Sequence, residues 1–194
     1  MRPHGVPRCP ARLLAALLLS PVAAAAPPSN AVLGSTPAPF TLEYFASFGC
    51  PACERFEAEV LPQLLPAIDA GRLRIVIRDL PPPEPALESR ALAVLCLAPG
   101  PDYLNRRGTL KRTHPAAASS ATGCSSDRLA RSVLEFNRAI FERQQFAGTP
   151  AFMLMHHAGD VEIQRRSWAG RLPLREWRTL LETAPAQPPV EGVP

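Results

Sequence analysis

The chain has 194 residues, of which 46% are hydrophobic, and its formal net charge is +4. The length suffices for one domain with a real core or two very small domains, and the apolar fraction excludes wholesale disorder. Three arginines, and no acidic residue, lie in the first 26 residues. Without that stretch the net charge falls to +1, so the charge gives no support to nucleic-acid binding.

Residues 1–26 have the three parts of a secretory signal peptide. The arginines form a positive start, Leu13 to Leu19 an apolar run and Ala23 to Ala26 a small-residue end, with cleavage expected at Ala25/Ala26. The apolar run is short for a membrane span, which needs about 20 residues. We therefore expect export, with an uncleaved anchor or a disordered tail as the alternatives.

A strand–helix–strand unit follows the signal peptide. Residues 27–38 are rich in proline, alanine and serine, which indicates a flexible leader. An aromatic strand is predicted at 40–45, and then a helix over 50–68 that Pro62 should kink. The β-branched run LRIVIRDL at 73–80 is typical of a buried strand, so the two strands should pair in parallel.

Helical segments form an insertion of about residues 84–145. Residues 86–97 are helical and apolar, and 98–125 are rich in small residues, glycine and proline and permit no assignment. A long helix with an apolar face is predicted over about 126–145.

The last third of the chain predicts a hairpin and a helix. The turn Gly-Thr-Pro at 148–150 leads into an apolar strand at 151–155, and a tight turn leads to a second strand from Val161. A helix is predicted from about 173 to 183. Residues 185–194 have the composition of a disordered tail.

Cys50 and Cys53 lie where the first strand gives way to a helix, in the sequence FGCPACERF. A helix N-terminus stabilises an anion, so the pKa of Cys50 should be lowered there. The spacing puts Cys53 one turn away within bridging distance, and Pro51 suits the first turn. One sulfur at the tip and one behind it suit thiol–disulfide exchange, in which Cys50 attacks and Cys53 resolves the mixed disulfide.

Two other uses of the cysteine pair stay open. A zinc site needs further ligands, but Cys96 and Cys124 are isolated in the sequence. His156 and His157 are adjacent on a predicted strand, so their side chains point to opposite faces. We expect no metal and no cofactor.

A purely structural bridge is the second alternative, although static disulfides rarely need a proline-started helix beneath them.

The sequence Gly148-Thr149-Pro150 is a second indication of exchange chemistry. A proline that enters a central strand lacks the N–H that pairing uses, and a cis Thr149–Pro150 bond resolves this by turning the chain sharply. The backbone of Thr149 is then exposed to pair with an extended substrate segment. A trans proline that opens the strand is the alternative.

Three motifs follow one another in this chain: EYFASFGCPACERFEAEVLPQL (43–64), IVIRDLP (75–81) and GTPAFML (148–154). Together they resemble the DsbA family of secreted thiol–disulfide oxidoreductases over about residues 39–184. The resemblance implies an α/β, thioredoxin-like fold with a helical insertion between the βαβ unit and the C-terminal ββα unit. The best-known members have Pro-His between the cysteines; the Pro-Ala here lacks an imidazole that could stabilise the thiolate.

The resemblance implies roles for the matching residues. They are the nucleophile Cys50, the resolving thiol Cys53 and the cis-proline Pro150, and the expected substrate contacts around them are Thr149, Pro51 and Ala52. Glu43 corresponds to an acid that, in the family, assists proton movement at the buried thiol. A strand-edge glutamate in solvent is the alternative, because the strand register is open.

The implied function is that of a periplasmic enzyme that oxidises the thiols of reduced or unfolded exported proteins. A membrane quinone-linked thiol oxidase would reoxidise it, and no nucleic acid is expected as a partner. A reductase or isomerase is one alternative, but related isomerases carry a separate dimerisation domain for which no residues remain, so a monomer is expected. A non-catalytic, chaperone-like binding module on the same fold is the other alternative.

Cys96 and Cys124 are left over once Cys9 leaves with the signal peptide. We predict that they form a structural disulfide that takes no part in turnover, because unpaired thiols are a liability in an oxidising compartment. The enclosed loop of about 28 residues implies a stabilisation of at most about 3–4 kcal/mol. Two buried free cysteines are the alternative.

Thiol counting on the denatured mature protein tests this pairing. We expect no free thiol in the oxidised protein and two after mild reduction, because the catalytic pair should open before a structural bridge does. Two free thiols before any reduction would contradict the pairing.

Overall fold

The computed structural model describes residues 28–97, 100, 102–112 and 127–182. Within these residues five strands form one mixed sheet in the order β1-β3-β2-β4-β5. The strands are β1 Ala31–Leu33, β2 Phe40–Ser47, β3 Leu73–Leu80, β4 Ala151–Ala158 and β5 Val161–Ala169. β2 and β3 are parallel and the other neighbours antiparallel, which confirms the predicted parallel pair and C-terminal hairpin.

Helices pack on both faces of the sheet. They are α1 Pro51–Arg55, α2 Leu61–Asp69, α3 Glu88–Val94, α4 Tyr103–Arg112, α5 Asp127–Arg143 and α6 Leu174–Glu182, with a π-helical turn at Phe56–Val60 and a 3-10 turn at Pro85–Leu87. None of these helices, which are all within the described residues, is long and apolar enough to cross a membrane. The fold is thioredoxin-like, as the sequence predicted.

The helix after Cys50 is interrupted close to Pro62, as predicted. α1 passes into the π-helical turn, and α2 begins at Leu61 with Pro62 in its first turn. A proline at that position leaves no helical hydrogen bond unmade, because the first N–H groups of a helix have no partner within it. Phe56 and Leu61, on either side of the break, both stay buried.

Strand β1 corrects the expectation of a flexible leader over residues 27–38. It pairs antiparallel with β3, with Ala31 opposite Ile77 and Leu33 opposite Ile75. The local composition suggested a linker because the apolar run is very short. Its pairing depends on the open edge of β3, which is a feature of the sheet and not of the leader sequence.

Helix α4 lies within residues 98–125, for which no element was predicted. It is mostly polar and lacks the apolar stripe that marks an amphipathic helix. Tyr103, Arg107 and Leu110 are nevertheless buried, so polar as well as apolar contacts hold it against the protein.

Several predictions concern residues outside the described ranges. These are the signal peptide at 1–26, the tail at 185–194 and Cys124. The Cys96–Cys124 pairing therefore stays a prediction.

β2 separates two packed layers, because its successive side chains point to opposite faces. Leu42 and Tyr44 pack with Cys53 and Phe56 on one face, here called the dithiol face. Phe45 packs with residues of β4 and α5 on the opposite face. The cysteine pair thus belongs to one side of the central strand only.

Candidate active site

The loop that carries the cysteines joins the end of β2 to the start of α1. The carbonyl oxygen of Ser47 accepts a hydrogen bond from Cys50 N–H at 3.3 Å. Gly49 has a φ of +79°, and a Cβ there would lie 2.8 Å from Leu87 Cδ1. Any other residue at 49 would be both strained and crowded, so glycine is what lets the chain turn into α1 with Cys50 as N-cap.

Cys50 and Cys53 form a disulfide, with their Cα atoms 5.3 Å apart. Cys53 is fully buried on the dithiol face, whereas Cys50 is partly exposed. The backbone N–H of Cys53 donates to Cys50 Sγ at 3.1 Å, so the first sulfur occupies the capping site of the helix. An incoming sulfur can therefore reach Cys50 but not Cys53.

Pro150 lies beside the disulfide, directly before β4. The Thr149–Pro150 bond is cis, which confirms the prediction made from Gly-Thr-Pro. The carbonyl oxygen of Thr149 lies 3.5 Å from Cys50 Sγ. Thr149 is partly exposed, and from this position its backbone can pair with a segment that approaches the sulfur.

The two residues that come directly after Cys50 in the sequence have small side chains. Pro51 is exposed in the first turn of α1, and Ala52 is half-buried behind it. The structure thus brings together all but one of the residues predicted to act in catalysis or to contact substrate: Cys50, Cys53, Pro51, Ala52, Thr149 and Pro150.

Glu43 is the exception. It projects from β2 on the face opposite to Cys53, where its Oε1 accepts a hydrogen bond from Arg78 at 2.6 Å. Its side chain is only 12% exposed on a central strand, so it is not a strand-edge glutamate in solvent either. The catalytic role predicted for Glu43 has no geometric basis, because the strand register turns it away from the buried thiol.

Glu57 is an acid on the dithiol face, one helical turn after Cys53. The Tyr44 hydroxyl donates to Glu57 Oε1 at 3.1 Å and lies 3.4 Å from the carbonyl oxygen of Cys53. Lys111 Nζ donates to Glu57 Oε2 at 2.6 Å, and Arg107 Nε donates to Oε1 at 3.3 Å. Burial raises the pKa of Glu57, but the charges of Arg107 and Lys111 outweigh it and hold the pKa below its usual value.

Arg107 of α4 connects Glu57 to Asp79 at the end of β3. Its guanidinium donates to both carboxylate oxygens of Asp79, at 2.7 and 2.5 Å, and both side chains are 1% exposed. Burial lowers the pKa of Arg107, but Asp79 and Glu57 more than offset it and raise the pKa well above its usual value. Arg107 therefore keeps its positive charge.

Tyr44 and Tyr103 border this charged cluster as neutral phenols. Burial raises the pKa of Tyr103 to about 12. Burial, with the nearby charge of Glu57, raises the pKa of Tyr44 well above its usual value. Tyr44 is thus a hydrogen-bond donor to Glu57 and not a proton source.

Phe48 links the charged cluster to the loop before Cys50. The guanidinium carbon of Arg107 and Nζ of Lys111 each lie 5.7 Å from the centre of the Phe48 ring. Cation–π contacts of this kind contribute about 0.5–2 kcal/mol each. Because Phe48 is buried two residues before Cys50, α4 supports the turn that presents the partly exposed sulfur.

Sequence reasoning did not single out Glu57, Asp79 or Arg107. The available signal for Glu57 was its position four residues after Cys53, which places both on one helix face. Asp79 was a charge inside a run typical of a buried strand, and such a charge needs a partner. Arg107 had no local signal, since it lies in the polar stretch without an assignment.

The sequence pattern of the thioredoxin family matches residues 27–170. None of the curated proteins compared with the chain is significantly similar to it in sequence. Among solved structures, alpha-DsbA1 from Wolbachia pipientis is 16% identical with a TM-score of 0.65, over 80% of this chain and 90% of that chain.

Two further solved structures are similar to this chain. A periplasmic thioredoxin-like protein from Salmonella enterica serovar Typhimurium is 17% identical with a TM-score of 0.59, over 79% of this chain and 88% of that chain. Oxidised BdbD from Bacillus subtilis is 18% identical with a TM-score of 0.57, over 81% of this chain and 95% of that chain. At these identities the likeness establishes the shared fold.

Glu57→Gln should destabilise the protein at neutral pH, because Arg107 and Lys111 each lose a charged partner. We expect a loss of about 1.5–3 kcal/mol, the range for hydrogen bonds to charged groups. Folding lowers the pKa of Glu57, so its contribution is present above the unfolded value of about 4.3 and is lost as the pH falls through the folded value. The stability difference between the two proteins should therefore shrink below about pH 4.

Denaturant unfolding between about pH 3 and pH 7 measures this difference. Glu54→Gln is the matched control, since Glu54 is an exposed acid on the same helix. A Glu57→Gln difference that does not change with pH would show that the carboxylate charge is not what stabilises the site.

Proposed function

This chain belongs to the thioredoxin family, and we propose that it is an exported thiol–disulfide oxidoreductase that passes its Cys50–Cys53 disulfide to the thiols of other proteins. The observation that carries the proposal is the asymmetric disulfide, with one partly exposed sulfur at a helix N-terminus and one buried sulfur. The cis-proline loop beside it supports the proposal, because it offers backbone groups next to the exposed sulfur.

The reaction begins at the exposed sulfur. A substrate thiolate attacks Cys50 Sγ, and the electron pair of the Sγ–Sγ bond leaves with Cys53 as a thiolate. A second substrate thiolate then attacks the substrate sulfur of the mixed disulfide and releases Cys50 as a thiolate. The substrate loses two electrons and two protons and gains one disulfide, and the cysteine pair ends as a dithiol.

The helix start favours the oxidising direction. In the reduced protein the Cys50 thiolate can still accept the hydrogen bond from the N–H of Cys53. It also lies at the positive end of the α1 dipole, and both interactions stabilise its charge. Stabilising the reduced form makes the disulfide a stronger oxidant. A reductase would instead need the disulfide to be the favoured form.

Export supplies both the substrates and the means of reoxidation. Residues 1–26 have the composition of a signal peptide, and one similar structure is described as periplasmic. In that compartment reduced or unfolded exported proteins provide thiols. A membrane quinone-linked thiol oxidase takes the two electrons from the dithiol, and the enzyme acts as a monomer.

Cys50→Ser should abolish oxidation of a reduced, unfolded protein, because no sulfur remains at the exposed position. Reduced Cys53→Ser should instead accumulate a mixed disulfide with a disulfide-bonded substrate protein, since attack by Cys50 remains possible and resolution does not. Non-reducing electrophoresis detects the adduct. If Cys53→Ser releases substrate as the unchanged protein does, the two roles are reversed.

The pKa of Cys50 in the reduced protein should lie well below the free-thiol value of about 8.5, because the helix start stabilises the thiolate. The reduction potential should correspondingly be higher than about −200 mV, on the oxidising side of glutaredoxins. Thiolate absorbance and equilibration with glutathione measure the two quantities. A potential near the −270 mV or so of thioredoxin would favour a reductase.

A further inference from the structure

Pro150 forms part of the wall of a small groove whose lining includes neither cysteine. The groove is lined by Arg55, Phe56, Val60, Pro150, Phe152, Arg171 and Leu172. Its volume of about 10 Å³ holds about one water molecule, which excludes a cofactor or a buried small ligand. A protein segment that reacts at Cys50 and pairs with Thr149 would place its neighbouring residues across this groove.

The β4–β5 ladder fixes Arg171 on one side of the groove. Ala151 pairs with Ala169, and the N–H of Gly170 donates to the carbonyl oxygen of Pro150 at 2.7 Å. Gly170 turns the chain with a φ of +88°. Arg171 therefore starts from a backbone position that hydrogen bonds hold beside Pro150.

Arg55 stands on the other side of the groove, two residues after Cys53. It is exposed, and no carboxylate in the described part of the chain forms an ion pair with it. The neighbouring acid Glu54 lines a different groove, between α1 and α4, so it lies on the other side of the helix. Arg55 thus offers a positive charge without an ion-pair partner among the described residues, in a groove that Pro150 also lines.

Arg171 forms only a weak, exposed ion pair. It contacts Glu59 at 3.3 Å, and the two side chains are 57% and 56% exposed. Ion pairs this exposed contribute little, because water screens them and both long side chains lose freedom. A carboxylate of a bound segment can therefore compete with Glu59 for Arg171.

We propose that Arg55 and Arg171 make the enzyme prefer protein segments in which an acidic side chain lies within a few residues of the reacting cysteine. The inference rests on the proposed function and adds a substrate class to it. The methylene groups of such a side chain can pack over the apolar lining of the groove without entering it, and the two guanidinium groups bind its carboxylate. Solvent exposure limits the effect to about 3- to 5-fold in rate.

The test uses the oxidised mature protein and three dithiol peptides that differ only in having glutamate, glutamine or lysine beside one cysteine. Each rate is divided by the rate of the same peptide with a small uncharged disulfide, which removes the effect of the neighbouring charge on the thiol itself. We expect the corrected rates to follow glutamate, glutamine, lysine in decreasing order, with a glutamate-to-glutamine ratio of about 3 to 5.

Variants that remove a charge at the groove should lower or raise the glutamate-to-glutamine ratio, depending on the sign of the charge removed. Arg55→Gln and Arg171→Gln should each lower the glutamate-to-glutamine ratio towards 1. Glu59→Gln should raise it, because it frees Arg171. Arg138→Gln is the matched control, since Arg138 is a half-exposed arginine of α5 on the opposite face of the sheet, and it should leave the ratio unchanged.

The salt dependence of the ratio can be measured on the unchanged protein, so this test does not depend on whether a variant folds correctly. At about 1 M salt the screening length falls to about 3 Å, so the ratio of the unchanged protein should approach 1. Equal corrected rates at low salt, or a fall in the ratio with Arg138→Gln as large as that with Arg55→Gln, would overturn the preference and leave the proposed function standing. If no peptide is oxidised at all, the proposed function itself is wrong, and the preference with it.

Discussion

Arg107 has to be paired, because it is fully buried and stays charged. Its contacts with Asp79 and Glu57 join three elements: α4, the end of β3 and the helix that carries Cys53. Breaking an ion pair as buried as Arg107–Asp79 typically costs about 3–5 kcal/mol, a large part of the stability of a domain of this size. The position of the helix that carries Cys53 therefore depends on this cluster as well as on the apolar core.

The same cluster determines which charges can act at the dithiol. Below the cysteines, Glu57 and Asp79 balance Arg107 and Lys111, so the buried groups carry no net charge and hold one arrangement. Around the exposed sulfur, by contrast, Arg55 has no ion-pair partner among the described residues and Arg171 has only a weak one. The buried charges therefore stabilise the fold, whereas the exposed charges can bind a charged group of another protein.

The asymmetry of the cysteine pair depends on how β2 ends. Glycine at position 49 lets the chain turn directly from a buried central strand into a helix, which leaves Cys50 at the surface as N-cap and Cys53 in the core. Phe48, held by the cations of α4, fixes that turn from below. With Pro-Ala between the cysteines, no side chain there can stabilise a thiolate, so the helix start has to do so.

The sequence by itself determined the order of the main elements, the cysteine pair at a helix start and the cis-proline loop, because each follows from local patterns within a few residues. It did not determine β1 or α4, since β1 depends on a free edge of β3 and α4 on ion pairs to distant residues. Nor did it determine the acid of the site: Glu43 and Glu57 are both glutamates close to the cysteines in sequence. Only the tertiary structure decided between them, because the strand register turns Glu43 to the opposite face, while the helix carries Glu57 under Cys53 and against the cations of α4.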